Sequence, residues 1–176
     1  MRKLVEIACC CLLASLSSCR APESIPVETI EEPAVSDLAP MVHAADPKAA
    51  FQLARGFHEI EQNAWRWTMK EFAVTLRPPL RASEKGAILR LKLAIPEAAL
   101  QRLKAVTLSA RLGGIDLDPE TYSKPGEYVY TREVPPSALG GDAVSVEFSL
   151  DKAIPPGDVD QRELGVIVTS VGLETK

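Results

Sequence analysis

Polar and apolar residues alternate with a period of two along much of the chain. In residues 87–95, Leu89, Leu91, Leu93 and Ile95 fall on one face and Arg90 and Lys92 on the other. Residues 105–112 group Val106, Leu108, Ala110 and Leu112. Residues 143–150 set Val144, Val146, Phe148 and Leu150 against Ser145, Glu147 and Ser149. Successive side chains of a strand point to opposite faces, so each run predicts a half-buried strand. Residues 127–134 form another such run, closed by Pro135-Pro136, and Ile115-Asp116-Leu117-Asp118 reads as a short return strand after Gly113-Gly114, with Tyr122 in the loop beyond it. Residues 164–173 are apolar on both faces, as a central strand is.

The densest stretch runs from Arg55 to Arg77 and holds both tryptophans. Extended, it puts Trp65, Trp67 and Met69 on one side and Arg66, Thr68 and Lys70 on the other. Phe72, Val74 and Leu76 then alternate with Glu71, Ala73, Thr75 and Arg77. The expectation is a strand, a bend and a second strand, with the tryptophans as buried anchors. Residues 48–62 fit either a strand or a short helix before Gly56, and residues 97–104 one or two helical turns. Pro78-Pro79, Pro96 and Gly140-Gly141 punctuate the rest. No helix of ten or more residues separates the strands, which argues against a βαβ rhythm. About eight or nine strands at short spacing predict an all-β fold, a jelly-roll-like β-sandwich.

The N-terminal quarter has another texture. Residues 20–47 scatter their apolar side chains among five prolines, Pro22, Pro26, Pro33, Pro40 and Pro47. Such a composition cannot offset the entropy of ordering, so residues 19–47 are expected to be a disordered, Pro- and acid-rich tether and residues 48–176 the sandwich. Before it, Arg2 and Lys3 precede an apolar stretch, Ile7 to Leu16, too short to span a bilayer. Residues 1–18 therefore read as an export signal.

That signal ends in Leu16-Ser17-Ser18-Cys19, which resembles the lipobox of bacterial lipoproteins. The resemblance implies cleavage before Cys19, lipidation of its sulfur and acylation (palmitate or a similar chain) of its new N-terminus. Several acyl chains at about 0.8 kcal/mol per buried CH₂ would hold the protein on a membrane. Arg20, where an Asp would favour inner-membrane retention, implies the outer membrane, facing periplasm or surface.

Charge sharpens the division. Residues 20–47 carry six acids and one base, whereas residues 48–176 carry seventeen of each. A neutral domain without a basic patch argues against nucleic acid as a partner. The four cysteines, Cys9, Cys10, Cys11 and Cys19, all lie outside residues 48–176, so no disulfide framework or thiolate metal site is expected there.

Catalytic chemistry finds little purchase. His58 is the one histidine of the expected domain, no Gly-x-Ser-x-Gly elbow accompanies it, and it reads as a surface or capping residue. Glu59 and Glu61 could pair for glycoside chemistry, as any acidic β-protein could. Asp116, Asp118 and Glu120, like Asp158, Asp160 and Glu163, read as solvated turn acids, because no EF-hand pattern surrounds them. No catalytic residue, cofactor or metal is expected. Tyr128, Tyr130 and Arg132 share a strand face opposite Val129, and sugars stack on such rings while an arginine bonds their hydroxyls. These three, with Arg162 reaching over a loop rim, are the candidate ligand residues.

Gly56-Phe57 with Glu61, Trp65-Arg66-Trp67-Thr68 and Arg162-Glu163-Leu164-Gly165 are similar to a β-sandwich module attached to many bacterial glycosyltransferases. The resemblance implies an accessory domain that binds carbohydrate or packs on a partner. The expectation is a membrane-anchored, non-enzymatic lipoprotein that binds cell-envelope carbohydrate or supports polysaccharide assembly. The alternative is an adaptor lipoprotein that packs on another envelope protein without binding sugar.

Overall fold

The structure is a computed structural model that describes residues 37–158 and 160–176. The expected export signal, Cys19 and the tether as far as residue 36 lie outside the described residues.

The alternating runs form the predicted strands. β1 is Met41–His43, β2 Arg55–Glu61, β3 Trp65–Leu76 and β4 Ala87–Ile95. β5 is Val106–Leu112, β6 Ile115–Tyr122, β7 Gly126–Val134, β8 Val144–Leu150 and β9 Ile167–Thr175. Short helices α1 (Ala82–Lys85) and α2 (Glu97–Leu103) flank β4. All the pairings are antiparallel, in the order β6-β5-β8-β3-β9-β4-β7, with β1 against β9 and β2 against β3. The result is an all-β sandwich. One sheet holds β6, β5, β8 and the C-terminal half of β3; the other holds β7, β4, β9 and β1.

β3 belongs to both sheets. Residues 71–76 pair with β8, and Arg66 and Trp67 pair with Val168 and Ile167 of β9. It is one strand of twelve residues where a bend was expected. Between the sheets lies one core. Leu89, Leu91 and Leu93 of β4, Val168 and Val171 of β9, Phe72 and Val74 of β3, and Phe148 of β8 are all buried in it.

Two expectations fail here. Residues 38–47 belong to the fold, not to a tether. Leu38, Val42 and Ala44 are buried, and Val42 pairs with Val171. The Gln52 side chain, itself buried, accepts from Ala39 N (3.0 Å) and donates to Ala39 O (3.0 Å) and Thr75 O (2.8 Å), which pins the arriving chain. Pro40 and Pro47 mark the starts of a strand and of a tight helical turn, the latter capped by Asp46 (Lys48 N to Asp46 Oδ1, 2.9 Å). Three residues are too few for alternation to show.

The N-terminal half of β3 is also turned over. Arg66 and Thr68 face inward and are buried, while Trp65 and Trp67 are partly exposed and Met69 is 41% exposed. Backbone carbonyls solvate the arginine: Nε donates to Ala44 O and Nη1 to His58 O, both at 2.8 Å. A buried guanidinium is tolerated where such partners exist. The buried positions of β3 are thus 66 and 68, then, past the exposed stretch 69–71, residues 72–74 and 76.

Candidate functional site

Tyr128, Tyr130 and Arg132 share a face, as read from the sequence, but it is the inner one. Register decides this: Tyr130 pairs with Leu91 and Tyr128 with Leu93, both buried. The Tyr130 side chain is fully buried and its hydroxyl donates to Asp118 O (2.8 Å). Burial raises its pKa above the ordinary phenol value. Arg132 stacks over that ring at 4.2 Å. It also donates to Asp118 O (2.6 Å), Pro119 O (3.2 Å) and Glu120 Oε2 (3.0 Å). Tyr128 donates to Lys124 O (2.7 Å) and leans on Tyr122, ring centroids 4.6 Å apart. β6 runs on through Pro119 to Tyr122, longer than the expected return strand. β6 and β7 are the two ends of the strand order, and these side chains lace them together where no ladder does. Val129, on the other side, is 47% exposed. The tyrosine platform is therefore a structural seam.

Arg162 is likewise engaged. Its Nε and Nη2 donate to Asp160 Oδ1 (3.0 Å) and Oδ2 (2.8 Å), and Nη1 to Glu61 Oε1 (2.8 Å). Around it, Lys70 N donates to Glu163 Oε1 (2.6 Å), His58 Nε2 to Glu163 O (2.7 Å) and Gly165 N to Thr68 O (2.7 Å). These bonds fasten loop 160–165 to β2 and β3. Hydrogen bonds from the Arg162 side chain and backbone hold the Asp160 carboxyl at about 2. A carboxylate depressed in the fold stabilises above its unfolded value, near 3.9, and loses that contribution as pH falls through about 2. Amide hydrogen exchange at Arg162–Gly165 should therefore stay slow from pH 7 to pH 4 and accelerate only as pH approaches 2, after correction for intrinsic rates. Early loosening near pH 4 would contradict the clasp.

The acids follow the same rule. Asp116 bonds Arg111, Glu120 bonds Arg132, Glu61 bonds Arg162, and Glu59 is exposed. Among the described residues no group of three or more His, Cys, Asp or Glu could hold a metal ion.

What remains open lies on the outer faces. On the sheet of β7, β4 and β9, one row runs Trp67–Ile167–Ala94–Glu127. Trp65 stands edge-on to Trp67 (6.2 Å, 83°), and Met69 shares its side of β3. On the opposite sheet the outward set is polar. One row crosses five strands: Arg55–Ala73–Glu147–Arg111–Asp116. The next row is Glu71–Ser149–Ser109. Together they line a cavity of about 430 Å³. Arg111 bonds Asp116 through Nε to Oδ1 (2.7 Å) and Nη2 to Oδ2 (3.2 Å), while Arg55 Nη2 lies 3.4 Å from Glu147 Oε1. The Arg111–Asp116 hydrogen bond lowers the Asp116 pKa and raises that of Arg111. Cations and anions alternate along this row, so it presents donors and acceptors in turn. Ser149 and Glu147 are legible as outward residues in the sequence, but their alignment with Arg111, Asp116 and Arg55 depends on the strand order, which no local pattern carries.

No protein family's sequence profile matches the chain, and no curated protein sequence does. Among solved structures, it is similar to the CBM36-1 domain of a multidomain xylanase from the hindgut metagenome of Trinervitermes trinervoides. That likeness has a TM-score of 0.42 and 8% identity, over 77% of this chain and 96% of that one. It is also similar to TmCBM27, a carbohydrate-binding module described for specific mannan recognition, with a TM-score of 0.46 and 15% identity, over 79% of this chain and 97% of that one.

Proposed function

We propose that this chain is a lipid-anchored, non-enzymatic lipoprotein of the bacterial envelope whose sandwich binds carbohydrate in the polar groove across β6, β5, β8 and β3. The groove is the observation that carries the reading. A saccharide presents hydroxyls that both donate and accept, and the row offers both roles: Glu147, Arg111 and Asp116 on adjacent strands, roughly 4.8 Å apart, and Arg55 two strands from Glu147 across Ala73. Its volume of about 430 Å³ is within the range of small-ligand sites. The anchor is Cys19, read from the lipobox resemblance, and the outer membrane follows from Arg20.

The test is retention of the full-length chain on immobilised envelope polysaccharide and on a glycan array. Arg111→Ala and Glu147→Ala should each weaken retention about tenfold, the worth of one or two charge-assisted hydrogen bonds. Both side chains are half-exposed, so melting temperature should hardly move. Retention unchanged by both substitutions would sink the groove as the site.

The adaptor reading has its own observation. Trp65, Trp67 and Met69 share an outward apolar side of β3, continued by Ile167 and Ala94 on the other sheet, the kind of surface a protein partner covers. Loss of partner capture on Trp65→Ala, with no glycan retention by the unaltered chain, would favour it.

A further inference from the structure

The most exposed large apolar side chain described is Leu80, at 91%. It is held out. Pro78-Pro79 precede it, Arg81 follows in the left-handed region (φ 62°), and Ala82 N donates to Pro79 O (3.1 Å) to close the turn. Ala82 is buried, so the turn is anchored on the core and Leu80 stands at its apex. Behind it lies a cavity of about 510 Å³ lined by Arg77, Pro78, Pro79, Leu139 and Asp142, among others.

The place of this tip carries the argument. The chain reaches the sandwich beside it: Arg77 N donates to Ala39 O (3.2 Å), three residues before Leu80. Cys19 precedes Asp37 by eighteen residues, which span at most about 60 Å. From this we propose that the Leu80 tip is a membrane-contacting element, with Leu80 seated among phospholipid headgroups and Arg77 and Arg81 on their phosphates. The proposal rests on the lipoprotein reading. An anchor at that range gives the tip a high effective concentration at the bilayer, so one aliphatic side chain and two guanidiniums suffice. Arg81 also bonds Glu84 and Asp142 lines the cavity, so the tip carries little net charge.

The experiment uses the full-length acylated chain in phosphatidylethanolamine–phosphatidylglycerol vesicles containing nitroxide-bearing lipid. An environment-sensitive fluorophore is placed at Leu80→Cys and, for reference, at Gln101→Cys on α2, beyond the other end of β4. Fluorescence at 80 should shift to the blue and be quenched, and at 101 should not. Equal quenching at both positions, or none at 80, overturns the proposal. Mass spectrometry of the same sample reads acylation of Cys19 separately. If that sulfur is bare, the lipoprotein reading falls, and the unacylated chain added to the vesicles decides the tip. Co-sedimentation of that unlabelled chain with the vesicles that Leu80→Asp lowers about tenfold sustains it, and no co-sedimentation overturns it.

Discussion

Gly56→Ala should cost more than about 4 kcal/mol, enough to leave much of the chain unfolded at 25 °C. Two costs coincide at this position. Gly56 has φ +74°, where a Cβ is disfavoured by roughly 1–2 kcal/mol. A Cβ there would also lie 2.1 Å from Glu71 O and 2.7 Å from Phe72 Cα. Neither atom can retreat, because residues 71 and 72 are held in the ladder with β8. The glycine sits where the pairing of β2 with β3 shifts register between Arg55 and Phe57, so the bulge depends on the close approach. Other glycines separate the terms. Gly114 has φ +81° with open space around it, so Gly114→Ala should cost only the conformational part. At Gly165 a Cβ would meet Thr68 Oγ1 at 2.6 Å and Met69 O at 2.7 Å, which isolates the clash. Gly140, with nothing within 4 Å, is the control. Urea unfolding of the four variants should rank Gly56 worst and Gly140 mildest. A Gly56 variant no less stable than the Gly114 one would refute the tight β2–β3 contact.

That ranking bears on what the sequence alone conveys. Strands with one face in the core announce themselves, because Leu89, Leu91 and Leu93 need no distant partner to reveal which way they point. β3 misleads because the larger apolar side chains, Trp65 and Trp67, lie on the outer face. Their polar neighbour Arg66 turns inward only because β1 and β2 bring Ala44 O and His58 O within reach. Those carbonyls are 22 and 8 residues away in sequence, so nothing local predicts them. Tyr130 misleads for the opposite reason. A phenol tolerates burial once its hydroxyl has a partner, and the partner is on β6, at the far end of the strand order. Tyr128, Tyr130, Arg132 and Arg162 are thus occupied by hydrogen bonds within the fold. The groove was hidden because its row joins strands whose neighbours in the sheet are not their neighbours in sequence.

Phe72→Ala is expected to destabilise by about 3–5 kcal/mol, the usual cost of emptying a buried phenylalanine site. Phe72 is fully buried and stacks on Phe148 (4.9 Å, 13°), while Phe57 meets its ring edge-on (5.4 Å, 77°). The three rings join β2, β3 and β8 directly under the groove, whose floor includes Phe148. Aromatic pairs contribute about 0.5–1.5 kcal/mol beyond burial, so the lower end of the range would imply partial collapse of the site. In a chain of this size the midpoint should fall by roughly 10–20 °C. Phe72→Leu keeps much of the volume and should cost less than half as much. If the folded fraction of Phe72→Ala binds glycan normally once stability is allowed for, the groove is set by its outward row alone. If binding falls further than the loss of folded protein explains, the rings below also hold Glu147 and Arg111 in line, because both flank Phe148 across the β8–β5 pair. A midpoint shift under about 3 °C would mean that Phe72 is not the centre of this sheet's packing.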